Sequence, residues 1–243
     1  MINLTDISTT APNGIEKYFA QRKTTLYKKQ LFNLQNLLFA EQKHSVLIIL
    51  QGMDAAGKDG TIRHVFSSMN PMGVNIKAFK APTEEENSHD FLWRVHPHVP
   101  ARGMIEIFNR SHYEDILVPA VHKTIQKKEL KSRYDSINNF ERHLLESGTI
   151  ILKFFLHISK KEEEIRLKER LSIPHKKWKY DPADTTEFPN RNNYLKIYET
   201  IFRDCNEGQP WHIVPADQKW YRDYFIAREL RNTLNSLKMK YPS

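Results

Sequence analysis

Two carboxylates sit inside a loop whose glycine spacing otherwise suits an anion. Residues 46–60 read Val-Leu-Ile-Ile-Leu-Gln-Gly-Met-Asp-Ala-Ala-Gly-Lys-Asp-Gly. From Gly52 to Gly57-Lys58 the spacing is that of a phosphate-binding P-loop, but Asp59 stands where a Ser or Thr hydroxyl is usual. The backbone through Ala55, Ala56, Gly57, Lys58, Asp59 and Gly60 is the expected phosphate cradle. Gly57 allows a close approach of N–H groups, and the helix starting near Lys58 adds its positive dipole end. Lys58 can reach outer phosphates as a point charge. Asp54, inside the loop, makes sense only if a cation separates it from phosphate. Mg²⁺ favours one or two carboxylates with phosphate oxygens and water, so Asp54 is the expected metal ligand. The plain alternative is a glycine turn with a surface lysine. The order strand, loop, helix argues against it.

A second constellation, Phe108-Asn109-Arg110-Ser111-His112-Tyr113-Glu114-Asp115, ends an apolar strand. Functional groups of a parallel α/β sheet gather at the carboxyl ends of its strands, so this segment should lie beside the loop. A second P-loop motif commonly supplies an aspartate for Mg²⁺ here. Asn109 is neutral, which shifts the metal onto Asp54. Arg110 can bridge phosphates and stabilise charge in transfer. Glu114 and Asp115 can order waters of a metal or contact a ribose. The same residues also suit a helix N-terminus, with Asn109 or Ser111 as cap and acids in the first turn. Lys80, just beyond another strand, is expected at the same sheet edge and within reach of a phosphate chain.

Residues 166–184 hold Arg166, Arg170, His175, Lys176, Trp178 and Lys179 around Pro174 and Pro182. A basic, aromatic-bearing segment after a charged helix reads as a lid that closes over phosphates, excludes water and supplies cations. A solvated basic loop is the alternative. His89, His96 and His98 lack the partnered Cys or His pair of a zinc site.

Together these groups suit phosphoryl transfer, where catalysis is mostly positioning and charge neutralisation. No Asn-Lys-x-Asp guanine motif occurs, which excludes an ordinary GTPase. No general base stands out. A nucleotide's terminal phosphate needs none, because its second pKa is about 6.

The elements that must position this chemistry are legible as hydrophobic pattern. Strands are expected at Val46–Leu50, Val74–Phe79, Met104–Phe108, Thr149–Ile158 and His212–Val214. Helical spacing is expected over 15–42, 59–69, 84–97, 111–127, 133–147, 160–171, 191–207 and 217–240, with 173–190 irregular. Strands alternating with helices predict an α/β fold, a parallel sheet of five strands covered on both faces. Residues 1–14 are expected to be a flexible N-terminus and 15–243 a single domain with its lid at about 160–190.

Net charge is +8, from 37 Lys plus Arg against 29 Asp plus Glu, which favours polyanionic partners. A single cysteine, Cys205, excludes an internal disulfide. No signal peptide or transmembrane run is present, so a cytoplasmic location without membrane contact is expected.

The two motifs, with Pro174, Lys176 and Trp178-Lys179, resemble the polyphosphate kinase 2 family. His89-Asp90-Phe91-Leu92-Trp93-Arg94 and Gln218-Lys219-Trp220-Tyr221-Arg222 share the resemblance, which covers nearly the whole chain beyond its first dozen residues. It implies a P-loop kinase fold with a helical lid, Mg²⁺ dependence and reversible phosphate transfer between inorganic polyphosphate and purine nucleotides. It implies catalytic and phosphate-binding roles for Asp54, Lys58 and Arg110, lid contacts for Arg170, Lys176 and Lys179, a dimer or tetramer, and no nucleic-acid partner. Asn109 stands where other members carry aspartate, which leaves its part in metal binding open. Met53 together with His112-Tyr113-Glu114-Asp115 is similar to the class III pattern, which implies both AMP and ADP as acceptors and puts Glu114 near the accepting phosphate. Two other readings compete. An ATP-dependent nucleoside monophosphate kinase of the thymidylate kinase type would carry a hydroxyl after Lys58. A non-catalytic polyanion or RNA-binding protein would account for the charge alone.

Overall fold

A computed structural model describes residues 2–206 and 209–242. Met1, Glu207 and Ser243, which fall within the expected N-terminal segment, a helix and the domain limit, lie outside the described residues.

The helices and strands run α1 (Lys17–Glu41), β1 (Ser45–Gly52), α2 (Lys58–Val65), β2 (Val74–Ala78), α3 (Glu84–Ser88), β3 (Ile105–Asn109), α4 (Glu114–His122), α5 (Lys127–Glu146), β4 (Thr149–His157), α6 (Lys160–Ser172), α7 (Pro182–Glu187), α8 (Arg191–Asp204), β5 (Trp211–Pro215) and α9 (Lys219–Ser236). The sheet has five strands in the order β2-β3-β1-β4-β5. Every pairing is parallel, as the alternation of strands and helices predicts.

β1 is central and buried along its whole length. Successive side chains of a strand point to opposite faces. Val46, Ile48 and Leu50 therefore pack with α1, α2 and α9, while Leu47 and Ile49 pack with α4, α5 and α8. β1 lies between β3 and β4, with Leu50 opposite Asn109 and Gly52 opposite Leu156. This register brings the loop after β1 and the motif after β3 to one edge of the sheet.

Several expected boundaries move, each for a local reason. The N-terminal segment, expected to be flexible, makes specific contacts with the domain. Leu4 is buried, its N–H donates to Glu199 Oε1 at 2.8 Å, and the Ala11 N–H donates to Gln218 Oε1 at 2.6 Å. The helix expected over 84–97 stops at Ser88. Thr83 and Glu86 start it with a capping box, but none of its residues is buried, and Asp90 accepts from the Leu92 N–H to begin a new turn. α4 ends at His122 because Lys123 adopts a left-handed φ of 54°, and α5 begins at Lys127 rather than at 133. The segment expected to be irregular holds a 3-10 turn, Pro174–Lys179, followed by α7. On α1, Leu31 and Leu38 face the core, but Tyr18, Phe19 and Leu26 are exposed. Among the described residues no helix is long and apolar enough to cross a membrane.

Candidate active site

The chain leaves β1 through Gly52. A Cβ there would lie 2.8 Å from the Leu156 carbonyl oxygen, and one on Gly57 would run into Arg222 Nη1. Gly52 is thus required by close approach to backbone, and Gly57 by its left-handed φ. Ala55 and Gly57 have φ of 57° and 107°. Left-handed residues in so short a loop turn N–H groups inward and form an anion-binding concavity. Gly57 then caps α2, whose N-terminus points into the same space.

Lys58 opens α2 and is buried. Its Nζ donates to the carbonyls of Gly52 at 2.7 Å and Met53 at 3.3 Å, folding back along the loop. Burial lowers its pKa to about 8. Arg110 adds to the lowering, and Asp54 opposes it.

Arg110 joins the two motifs. Its N–H donates to the Leu50 carbonyl at 3.0 Å, and its φ is 61°, a conformation uncommon outside glycine. Strain of this kind persists where surrounding structure imposes it, often at functional sites. The guanidinium lies with Nη2 2.8 Å from Asp54 Oδ1 and Nη1 3.7 Å from Glu114 Oε2. Asp59 is bridged in turn. Asn109 Nδ2 donates to its Oδ1 at 2.8 Å, and Lys179 Nζ donates to its Oδ2 at 3.0 Å. Burial pushes the Asp59 pKa up, but the bonds from Lys179 and Asn109 outweigh it and hold the carboxyl below its usual value.

The rest of the second motif splits between site and scaffold. His112 and Tyr113 turn into the core, where the Tyr113 hydroxyl donates to Glu141 at 2.7 Å and Lys153 Nζ donates to the same carboxylate at 2.6 Å. Asp115 accepts from Arg94 at 2.8 Å, and burial raises its pKa against the pull of that arginine. It braces the helix start. Glu114 faces a cleft of about 410 Å³ that Phe79, Lys80, Arg110, Val118 and Arg133 also line. Lys80 therefore reaches the sheet edge expected for it.

The residues expected in the lid divide as well. Lys179 reaches the loop through Asp59. Lys176 pairs with Glu169 on α6, and Arg170 Nη1 donates to the Lys179 carbonyl at 3.5 Å. Arg166, expected among the lid cations, lies under the loop instead. Its Nη1 donates to the carbonyls of Ala55 at 3.1 Å and Ala56 at 3.0 Å, and its Nη2 to those of Ala216 and Asp217. It bolts the loop to the segment after β5. The sequence shows a basic residue there; its direction depends on how α6 packs, which local pattern does not carry.

Residues 14–242 match the family model described as polyphosphate kinase 2. The chain belongs to the polyphosphate kinase 2 family. As a kinase family member it is an enzyme that transfers phosphate. It is 46% identical over 227 residues to an AMP/ADP-polyphosphate phosphotransferase of Meiothermus ruber, covering 93% of this chain and 85% of that protein. It is 43% identical over 227 residues to an ADP-polyphosphate phosphotransferase of Rhodopseudomonas palustris, covering 88% and 78%. Among solved structures it is similar to polyphosphate kinase 2 from Arthrobacter aurescens TC1, with a TM-score of 0.96 and 41% identity, covering all of this chain and 88% of that one. These likenesses favour neither the thymidylate kinase type nor a non-catalytic polyanion-binding protein. Arg222, which rests beneath Gly57 and pairs with Asp223 at 2.7 Å, is a further loop support in this polyphosphate kinase 2 member.

Proposed function

We propose that this enzyme moves the terminal phosphate of inorganic polyphosphate to purine nucleoside mono- and diphosphates, AMP to ADP and ADP to ATP, reversibly. The observation that carries the reading is the Asp54–Arg110–Glu114 chain. It links the phosphate loop directly to a cleft large enough for a nucleotide. Polyphosphate then lies along the loop and the lid, over Lys58 and Lys179. The acceptor enters the cleft beside Glu114 and Lys80, and Arg110 stands between the two.

The accepting phosphate oxygen attacks the terminal phosphorus of polyphosphate. The bridging P–O bond breaks, and the shortened chain leaves with its electron pair. No side chain has to remove a proton, because the accepting phosphate is ionised. The work is to hold two polyanions together, and Lys58 and Arg110 offset their repulsion. The donor set also fits Mg²⁺. Asp54 stands at the loop mouth, partly exposed beside the Arg110 guanidinium, and no group of three or more His, Cys, Asp or Glu forms a cage among the described residues. Mg²⁺ is held in that way, by one or two carboxylates with phosphate oxygens and water. Asp54 would hold the ion, with Asn109 and Asp59 ordering its surroundings. When bound, the ion neutralises charge on the phosphates.

Acceptor range is the finer part of the reading, since one relative is an AMP/ADP-polyphosphate phosphotransferase and the other an ADP-polyphosphate phosphotransferase. AMP offers a single phosphate, so its nucleoside must sit one phosphate nearer the transfer point, in the part of the cleft that Glu114 lines beside Arg110. Glu114→Asn is expected to lower AMP use about tenfold more than ADP use. Steady-state rates with AMP, ADP, GMP and GDP test this, and equal losses on mono- and diphosphates would remove Glu114 as the discriminator.

The lowered pKa of Lys58 sets a pH dependence. The free enzyme loses this charge as pH rises through about 8, whereas an ordinary lysine keeps it to about 10.4. Only the protonated amine attracts phosphate. The kcat/KM for polyphosphate is therefore expected to fall on the alkaline side with an apparent pKa of about 8. A profile flat to about pH 10 would contradict it.

In this reading residues 15–243 form one kinase domain, with its lid at about 160–190. The cytoplasm suits it. Cys205 is buried, and burial pushes its thiol up to about 12, so it is an inert core residue. The enzyme works as a homo-oligomer, a dimer or tetramer, through the exposed Tyr18, Phe19 and Leu26 of α1. Light scattering should give a dimer or tetramer that Phe19→Asp dissociates. A monomeric wild-type enzyme would contradict this assignment.

A further inference from the structure

Gln51 lies on β1 immediately before Gly52 and is fully buried. Its amide meets Glu114 Oε1 and the Tyr198 hydroxyl on one side, and the N–H and hydroxyl of Ser111 on the other. A carboxylate only accepts and a backbone N–H only donates, so the NH₂ must face Glu114. In that orientation it donates to Glu114 Oε1 at 3.1 Å and to Tyr198 at 3.2 Å, while its oxygen accepts from Ser111 N at 3.3 Å and Oγ at 3.1 Å. All four contacts are then satisfied.

The Glu114 carboxylate is thus held from both sides, with Gln51 on Oε1 and the Arg110 guanidinium 3.7 Å from Oε2. Arg110 continues to Asp54 at 2.8 Å. One run of contacts joins the buried floor of the sheet, through Tyr198 and Gln51, to the mouth of the phosphate loop. Ser111 ties the same amide to the corner at which Arg110 takes its left-handed conformation.

We infer that Gln51 is a positioning residue that fixes the orientation of the Glu114 carboxylate, and through it the choice between nucleoside mono- and diphosphate acceptors. The inference rests on the reading of Glu114 as the group facing the accepting phosphate. Gln51 is enclosed and does not itself touch the acceptor. Its value is that of a neutral donor. An amide orders the carboxylate without adding charge, whereas a second carboxyl at the same distance would set two like charges side by side.

The test compares wild type, Gln51→Glu, Gln51→Met, Glu114→Asn and Gln51→Glu/Glu114→Asn, with AMP and ADP as acceptors and polyphosphate as donor. Rates are taken from about pH 6 to about pH 9, where a shared proton between paired carboxyls would titrate. The readout is the ratio of AMP to ADP turnover, in which effects common to both acceptors cancel, the titration of Lys58 included. In wild type the ratio is expected to be flat above about pH 7, where both accepting phosphates are ionised. Gln51→Glu is expected to make it pH-dependent, and Glu114→Asn in the same chain to abolish that dependence. Gln51→Met, of similar volume but without the amide, is expected to lower the ratio about tenfold at every pH, the effect of losing one hydrogen bond to a charged group. A loosened fold alone would not move the ratio with pH. Should the glutamate variant fail to fold, the methionine variant decides. A ratio unchanged in both Gln51 variants while Glu114→Asn is selective overturns the inference alone. Equal losses in Glu114→Asn overturn the reading of Glu114, and the inference with it.

Discussion

Lys58→Ala is expected to slow phosphate transfer by on the order of a thousandfold, with the fold intact. The size follows from what Lys58 faces. It stands at the N-terminus of α2, buried, with its ammonium donating to the carbonyls of Gly52 and Met53. Little water remains there to screen it, so its charge acts strongly on a phosphate in the loop. Alanine removes that charge from the position where the reacting phosphate must be held, and no other side chain opens α2. The cost to stability is small by comparison. Two carbonyls lose a donor, about 1–3 kcal/mol, while a buried cation that burial already disfavours is removed. Rates under saturating substrates, with a thermal melt as control, check this. Turnover within about tenfold of wild type would show that Lys58 is not part of the transfer.

Asp54→Asn is expected to cost a similar factor by a different route. The substitution keeps the size of the side chain and removes the charge that would hold the metal at the loop mouth. It also removes the charge from the contact with Arg110, which is 2.8 Å from Asp54 Oδ1 and 3.7 Å from Glu114 Oε2. Both partners of the Asp54–Arg110 pair are partly exposed, so losing it should cost no more than about 1 kcal/mol of stability. Inactivity with an unchanged melt is therefore the expected pattern. Mg²⁺ dependence separates this variant from Lys58→Ala, since only the loss of Asp54 should raise the Mg²⁺ concentration needed for half-maximal rate. Near-normal turnover in Asp54→Asn would refute the metal assignment.

The parts of this site that were legible in the sequence are those set by local chemistry. The apolar run from Val46 to Leu50, the glycines at 52 and 57 and the lysine after them specify strand, loop and helix within one short stretch. Arg110 and Glu114 were legible because residues at the carboxyl ends of neighbouring parallel strands must meet. Roles that depend on which way a side chain turns were not legible. Arg166 and Lys179 both belong to a basic stretch, yet one holds the loop backbone from below and the other reaches Asp59 from the Pro174–Lys179 turn. Gln51 reads as the polar end of a strand, and its contact with Glu114 forms only when β1, α4 and α8 converge. Leu4 likewise sits in a polar-looking segment, and only the assembled sheet edge gives it a place to pack. Asp59 takes on a definite position for the same reason. It stands where a hydroxyl is usual, and it joins Asn109 after β3 to Lys179 of the Pro174–Lys179 turn.

The claim that the donor is polyphosphate is tested most directly by incubating the purified protein with ADP, Mg²⁺ and inorganic polyphosphate, with no other phosphate donor, and measuring ATP. The account predicts ATP formation that depends on polyphosphate and is lost in Lys58→Ala. No ATP under these conditions, with AMP phosphorylated only when ATP is supplied, would contradict it and favour an ATP-dependent monophosphate kinase.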